Sequence, residues 1–164
     1  MKKLLSIYTT LLLAAPVAFA AISDADQIKA ALNDGCKAFI AGDAEGMMAP
    51  LWNDPQFVDF DFSPPRAKNY EQLKKDNLAV KDMFEGTPIC EYLEIKPVML
   101  GKNAAYSMSI MRAGGQLKGG PIMDFTIRST NVWRKIKGRW VAVHEHNSFP
   151  ANPVTGQADL QSKP

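Results

Sequence analysis

An excess of one charge sign is missing from this chain. Its 19 basic residues outnumber its 17 acidic ones only by Lys2 and Lys3, both within a stretch that reads as a removable leader. From Ala21 onward the signs balance, so there is no basic footprint for nucleic acid and no polybasic patch for a membrane surface. Histidine is almost absent, with only His144 and His146, and cysteine is limited to Cys36 and Cys90. No Cys-x-x-Cys pair occurs, which removes a thioredoxin-like redox motif. Gly114-Gly115 and Gly119-Gly120 are expected in a hairpin loop rather than before a helix, which argues against phosphate cradling. No cofactor motif and no internal repeat are visible.

Long apolar runs are missing as well, apart from the first 20 residues. There Lys2-Lys3 precede an apolar stretch from Leu4 to Val17, and Ala18-Phe19-Ala20 offers a small-x-small cleavage site. Ser6, Thr9, Thr10 and Pro16 interrupt the stretch, which is shorter than the roughly 20 residues of a spanning helix. Residues 1–20 are therefore expected to be a bacterial export signal, with a soluble product in the periplasm or outside the cell and no membrane contact after cleavage. Export permits a bridge between the two cysteines, closing a loop of about 55 residues. Two separate buried thiols are the alternative, since free Cys is a commonly buried residue.

What remains is one domain's worth of chain. Apolar residues at Ile28, Leu32, Cys36, Phe39 and Ile40 give a helical stripe over 24–41, opened by Ser23 or Asp24 and closed by Gly42. A short helix is expected from Asp43 to Trp52, a strand over 57–62 ended by Pro64-Pro65, and a third helix over 70–84 stopped by Gly86 and Pro88. Four strands follow, at 89–100, 104–112, 122–135 and 139–149. Residues 21–150 form the domain and 151–164 a loose tail. Helices followed by hairpin-linked strands predict an α+β fold, with three helices on the concave face of a curved antiparallel sheet and a pocket between the layers.

The last hairpin sets the faces. A three-residue loop, Ile136-Lys137-Gly138, places Gly at the left-handed position and pairs Trp133 with Val141, Asn131 with Val143, Ser129 with Glu145 and Ile127 with Asn147. Those residues, with Phe125, should face the helices. Trp140, Ala142, His144 and His146 should lie on the opposite face with Val132 and Arg128. Tyr106 and Met108 are assigned to the pocket by period-2 alternation. Glu145 in an apolar cavity would have its proton affinity raised by desolvation, as a general base needs; a hydrogen-bonded structural Glu is the other reading. Asp59 and Asp61 alternate with Val58, Phe60 and Phe62 and should face solvent unless the strand end opens into the pocket. His144-x-His146 presents two imidazoles on one side of a strand, but Arg128 beside them disfavours a divalent ion, and no metal site is assigned. Trp140 among charges on the outer face suggests that a homodimer covers it.

The run Thr130-Asn131-Val132-Trp133-Arg134-Lys135, then Gly138-Arg139-Trp140 and Val143-His144-Glu145-His146-Asn147-Ser148-Phe149-Pro150, resembles SnoaL-like proteins. Phe39-x-x-Gly42-Asp43, Leu51-Trp52 and Phe60-Asp61 fit the same pattern. This group belongs to the nuclear-transport-factor-2-like superfamily, with ketosteroid isomerase and the association domain of calcium/calmodulin-dependent kinase II. The resemblance implies a cone-shaped α+β fold with a pocket, and usually a dimer. It leaves three functions open. One is a binder of a small, mostly apolar molecule, with Trp52, Tyr106, Met108, Phe125, Ile127, Asn131, Val143 and Asn147 around the ligand. The others are a proton-transfer isomerase or cyclase using Glu145 or Asp61 as base, and an assembly module.

Overall fold

A computed structural model describes residues 22–62 and 67–160. The proposed leader, Pro64-Pro65 and the last four residues lie outside the described part. Three helices precede most of a six-stranded sheet: α1 (Asp24–Ala41), α2 (Ala44–Met48), β1 (Val58–Phe60), β2 (Ala67–Lys68), α3 (Tyr70–Lys81), β3 (Phe84–Met99), β4 (Ala104–Leu117), β5 (Ile122–Ile136) and β6 (Arg139–Ser148). The strand order is β2-β1-β6-β5-β4-β3. All pairings are antiparallel except β1 with β6. The architecture is the α+β cone expected: a curved, unclosed sheet with helices against its inner face.

Local chemistry sets the helix ends. The Ser23 hydroxyl accepts from the Asp26 amide at 3.1 Å, and Gly42 closes α1 at a left-handed φ of 70°. Asn69 and Gln72 form a reciprocal capping box at the start of α3. α3 ends at Lys81, earlier than its apolar pattern suggested, and Phe84 already belongs to β3. Gly86 and Pro88 lie inside that strand, where the register shifts between Glu85 and Ile89. An edge strand tolerates both, because one side of its backbone has no ladder to complete. Gly114 and Gly115 are likewise in β4 and not in a loop. A Cβ on Gly114 would lie 2.1 Å from the Met123 carbonyl oxygen, and one on Gly115 would lie 2.8 Å from the Phe84 ring. Glycine there lets β3 and β5 close tightly around β4.

The β5–β6 turn departs from expectation. Ile136 pairs with Arg139, so the loop has two residues, with Lys137 at φ 49° and Gly138 at φ 79°. This shift puts Trp140 opposite Lys135 and Ala142 opposite Trp133, both on the inner face. Trp140 is thus a core residue, buried with Ile28, Leu32, Ala105, Trp133 and Ala142 under α1, and it is not an outer-face aromatic awaiting a partner. Its indole N–H donates to Asp24 at 3.0 Å, and Lys135 reaches the same carboxylate at 2.6 Å. The register then slips once more, between Val132 and Trp133. Val143 is the extra residue of this bulge, which returns Glu145 and Asn147 to the inner face. Glu145 therefore faces inward as expected, but opposite Asn131 and not Ser129, and Asn147 faces Ser129 and not Ile127.

β1 inverts its pattern. Asp59 is fully buried, whereas Val58 and Phe60 are 38% and 43% exposed. Pairing in parallel with β6 puts Asp59 beside Glu145 on the inner face. A second core cluster of Met48, Phe57, Tyr70 and Leu73 packs below, joined by Trp52. Cys36 on α1 is bridged to Cys90 on β3 with a Cα–Cα separation of 5.4 Å, tying helix layer to sheet edge. Within the tail expected over 151–164, residues 151–160 turn back on themselves, and the Leu160 carbonyl accepts from the Thr126 amide at 3.1 Å.

Candidate functional site

The inner face of the sheet is packed solid at one end and hollow at the other. The hollow is a cavity of ≈ 260 Å³ between α1, α3 and strands β3 to β6. Phe39 and Phe84 meet edge-on in its wall, with centroids 6.4 Å apart. Phe62 and Phe125 meet similarly at 6.2 Å on another side. The Cys36–Cys90 bridge, Met111 and Ile127 complete the apolar lining, with the Met111 sulfur 4.0 Å from each bridge sulfur.

Glu145 supplies the polar floor. Asn131 donates to its Oε2 at 2.7 Å, and Asn147 donates to its Oε1 at 2.9 Å. Burial raises the proton affinity of this carboxyl, and the two amide donors only partly oppose the shift. Asp61 also lines the cavity. It accepts from Lys68 at 3.1 Å, and Lys68 reaches Asp76 at 2.9 Å. Only 5% of Lys68 is exposed. Burial lowers its proton affinity, but the hydrogen bonds to Asp76 and Asp61 outweigh that and hold it as a cation. Asp59 lies beside Glu145, and among the described residues neither of its carboxyl oxygens has a hydrogen-bond partner. Burial, helped by the neighbouring Glu145 and Asp61 carboxyls, pushes its pKa up to about 8. The Tyr92 phenol in the wall is held protonated by burial and by Glu145.

Of the residues assigned from sequence, Glu145, Asp61, Asn147, Phe125 and Ile127 meet at this cavity. Asn131 is wholly buried and touches the site through Glu145. Four others do not line it. Tyr106 and Met108 pair with Val132 and Thr130 on the outer face, where Met108 is 46% exposed; their alternation was read one residue out of phase. Val143 is the bulged residue with no ladder partner. Trp52 donates its backbone N–H to the Ala142 carbonyl at 2.9 Å and packs on the second core cluster. Sequence reasoning missed Asp59, Tyr92, Met111 and the Phe39–Phe84 pair. Tyr92 and Met111 oppose each other on the inner face, and alternation counted back from Ile127 would have found Met111. Among the described residues, no group of three or more His, Cys, Asp or Glu is placed to hold a metal ion.

Comparison with known proteins places this geometry. A nuclear-transport-factor-2-like protein of unknown function from Pseudomonas putida has a TM-score of 0.71 at 22% identity, covering 85% of this chain and 95% of its own. A nuclear transport factor 2-like superfamily protein from Salmonella enterica gives 0.70 at 18%, covering 82% and 96%. A ketosteroid isomerase-like protein from Erwinia carotovora atroseptica gives 0.61 at 19%, covering 76% and 95%. At these identities the likeness is one of fold. No curated protein matches the sequence significantly. The SnoaL-like domain family matches residues 28–152, which include α2 and α3, the whole sheet and every cavity residue named above, and the chain belongs to that family.

Proposed function

We propose that this is an exported protein that binds a small, mostly apolar molecule in the cone cavity. One observation carries the reading: the cavity of ≈ 260 Å³ has aromatic and thioether walls and two anchored carboxyls, Glu145 held by Asn131 and Asn147 and Asp61 held by Lys68. Predominantly apolar walls with a small number of placed polar groups are the usual make-up of a ligand site. A blocking variant tests it. Ala113→Phe fills the cavity from β4, so a library of apolar compounds should raise the melting temperature of the parent protein and not that of the variant. Equal responses would refute the reading.

Proton transfer next to a carbonyl is a second reading, supported by the raised proton affinity of Glu145. Under it, Glu145→Gln abolishes deuterium exchange at the carbon beside a bound ketone. Export is supported by the leader pattern and by a bridged cysteine pair, which suits an oxidising compartment; intact mass of periplasmic protein should begin at Ala21. A homodimer over the outer face is supported by exposed Phe60, Val58, Met108 and Val132, with Arg128, His144 and His146 near the contact. Val132→Glu should then convert a dimer to a monomer in light scattering.

A further inference from the structure

The described lining of the cavity holds two carboxyls and no cation. Among the described residues that line it, Asp61 and Glu145 are acidic and none is Lys, Arg or His. The nearby ammonium of Lys68 is already hydrogen-bonded to Asp61 and Asp76. Asp59 adds a fully buried carboxyl on the same inward face, next to Glu145. At Glu145 itself acceptor sites exceed donors. Each Glu145 oxygen takes one amide hydrogen bond, while a carboxylate offers about four lone-pair sites, so further N–H groups can be received there. The walls suit the same chemistry, because the faces of Phe39, Phe62, Phe84 and Phe125 attract a cation that has left water.

We propose that the ligand is a hydrophobic amine bound as its ammonium ion, with the charged nitrogen at Glu145 and Asp61 and the carbon skeleton among the phenylalanines. This rests on the cavity-binding reading and names its ligand class. An anionic ligand is disfavoured, since it would meet Glu145 with no cation beside it in the described lining, and the Lys68 ammonium is already shared by Asp61 and Asp76. A neutral carbonyl compound would leave the surplus acceptors unmet.

Three probes of similar size separate the cases: 2-phenylethylammonium, 2-phenylethanol and 3-phenylpropanoate, titrated calorimetrically into the mature, disulfide-bonded protein. The ammonium should bind about tenfold or more tighter than the alcohol, as a charge-assisted hydrogen bond requires, and the carboxylate weakest. Glu145→Gln should bring the ammonium-to-alcohol ratio toward one while alcohol binding persists. Asp61→Asn, a second variant should the first fail to fold, should lower the same ratio. An alcohol bound as tightly as the ammonium, or a preference that survives both variants, overturns the amine assignment and leaves cavity binding standing. If none of the three binds, or if Ala113→Phe binds them as the parent does, cavity binding itself fails.

Discussion

The two ends of the sheet's inner face are built from the same strands and do opposite things. Near the β5–β6 turn, Trp133, Trp140, Ala105 and Ala142 are sealed under α1. Their polar atoms are matched, with the Trp133 indole donating to Ser107 at 2.8 Å and the Trp140 indole to Asp24. Past Val143 the same face turns to Asn131, Glu145, Asn147 and, alongside, Asp59, and the packing gives way to a cavity. One inserted residue marks the change. The bulge sets the phase of β6 separately for each end, so that tryptophan can face inward on one side and a carboxylate on the other. The solid end buries apolar side chains with their polar atoms matched, whereas the hollow end carries a buried acid, Asp59, whose desolvation opposes folding.

That division predicts a graded series of effects. Trp133→Ala should be the most damaging, costing about 3–5 kcal/mol by analogy with other buried aromatic truncations, measured by urea unfolding. Replacing Cys36 and Cys90 together by Ser should cost about 2–4 kcal/mol, because the bridge closes a loop across 54 residues. A smaller loss than for a surface mutation would show that α1 is held by its apolar stripe alone.

Asp59 should act in the other direction. Its carboxyl titrates at about 8 in the folded protein against 3.8 for an unperturbed one. Between those values the folded state binds more protons than the unfolded state, so this group makes stability fall as pH rises from about 4 to about 8. Asp59→Asn removes that contribution. The variant should gain on the parent by up to about 1.4 kcal/mol per pH unit across the window, and parallel pH profiles would contradict the assignment. Glu145→Gln should have the smallest effect on stability, since Gln keeps the shape, its oxygen still accepts from one of the Asn131 and Asn147 amides, and a buried ionisable group is removed. Its melting temperature should stay within a few degrees of the parent, roughly a 1 kcal/mol change, while ligand response changes. A large drop would make Glu145 a structural anchor.

The helices and the hairpin sequence of the last four strands were legible because their signals are local. The stripe Ile28-Leu32-Cys36 and its caps give α1 to the residue, and hairpin punctuation gives β3 to β6. The parallel pairing of β1 with β6 was not legible, because it joins residues 58–60 to 144–146 and no local pattern reports so distant a partner. Asp59 illustrates the consequence: alternation alone put the acids outside, whereas burial of Asp59 depends on what Glu145 and α3 offer beneath it. At the turn, Lys137 adopts a left-handed conformation usually left to Gly or Asn, so the two-residue loop was read as three. The bulge at Val143 then compensated by one residue. Glu145 was placed on the correct face, while Trp140 and Ala142 were placed on the wrong one.

The account rests on Glu145 being an inward carboxyl in an apolar cavity, held by Asn131 and Asn147. Its side-chain carboxyl carbon can be followed by NMR as pH is changed, with Glu145→Gln identifying the resonance. The account predicts a midpoint displaced upward from the ordinary value of 4.5, because burial outweighs the two amide hydrogen bonds. A midpoint at or below 4.5 would contradict it.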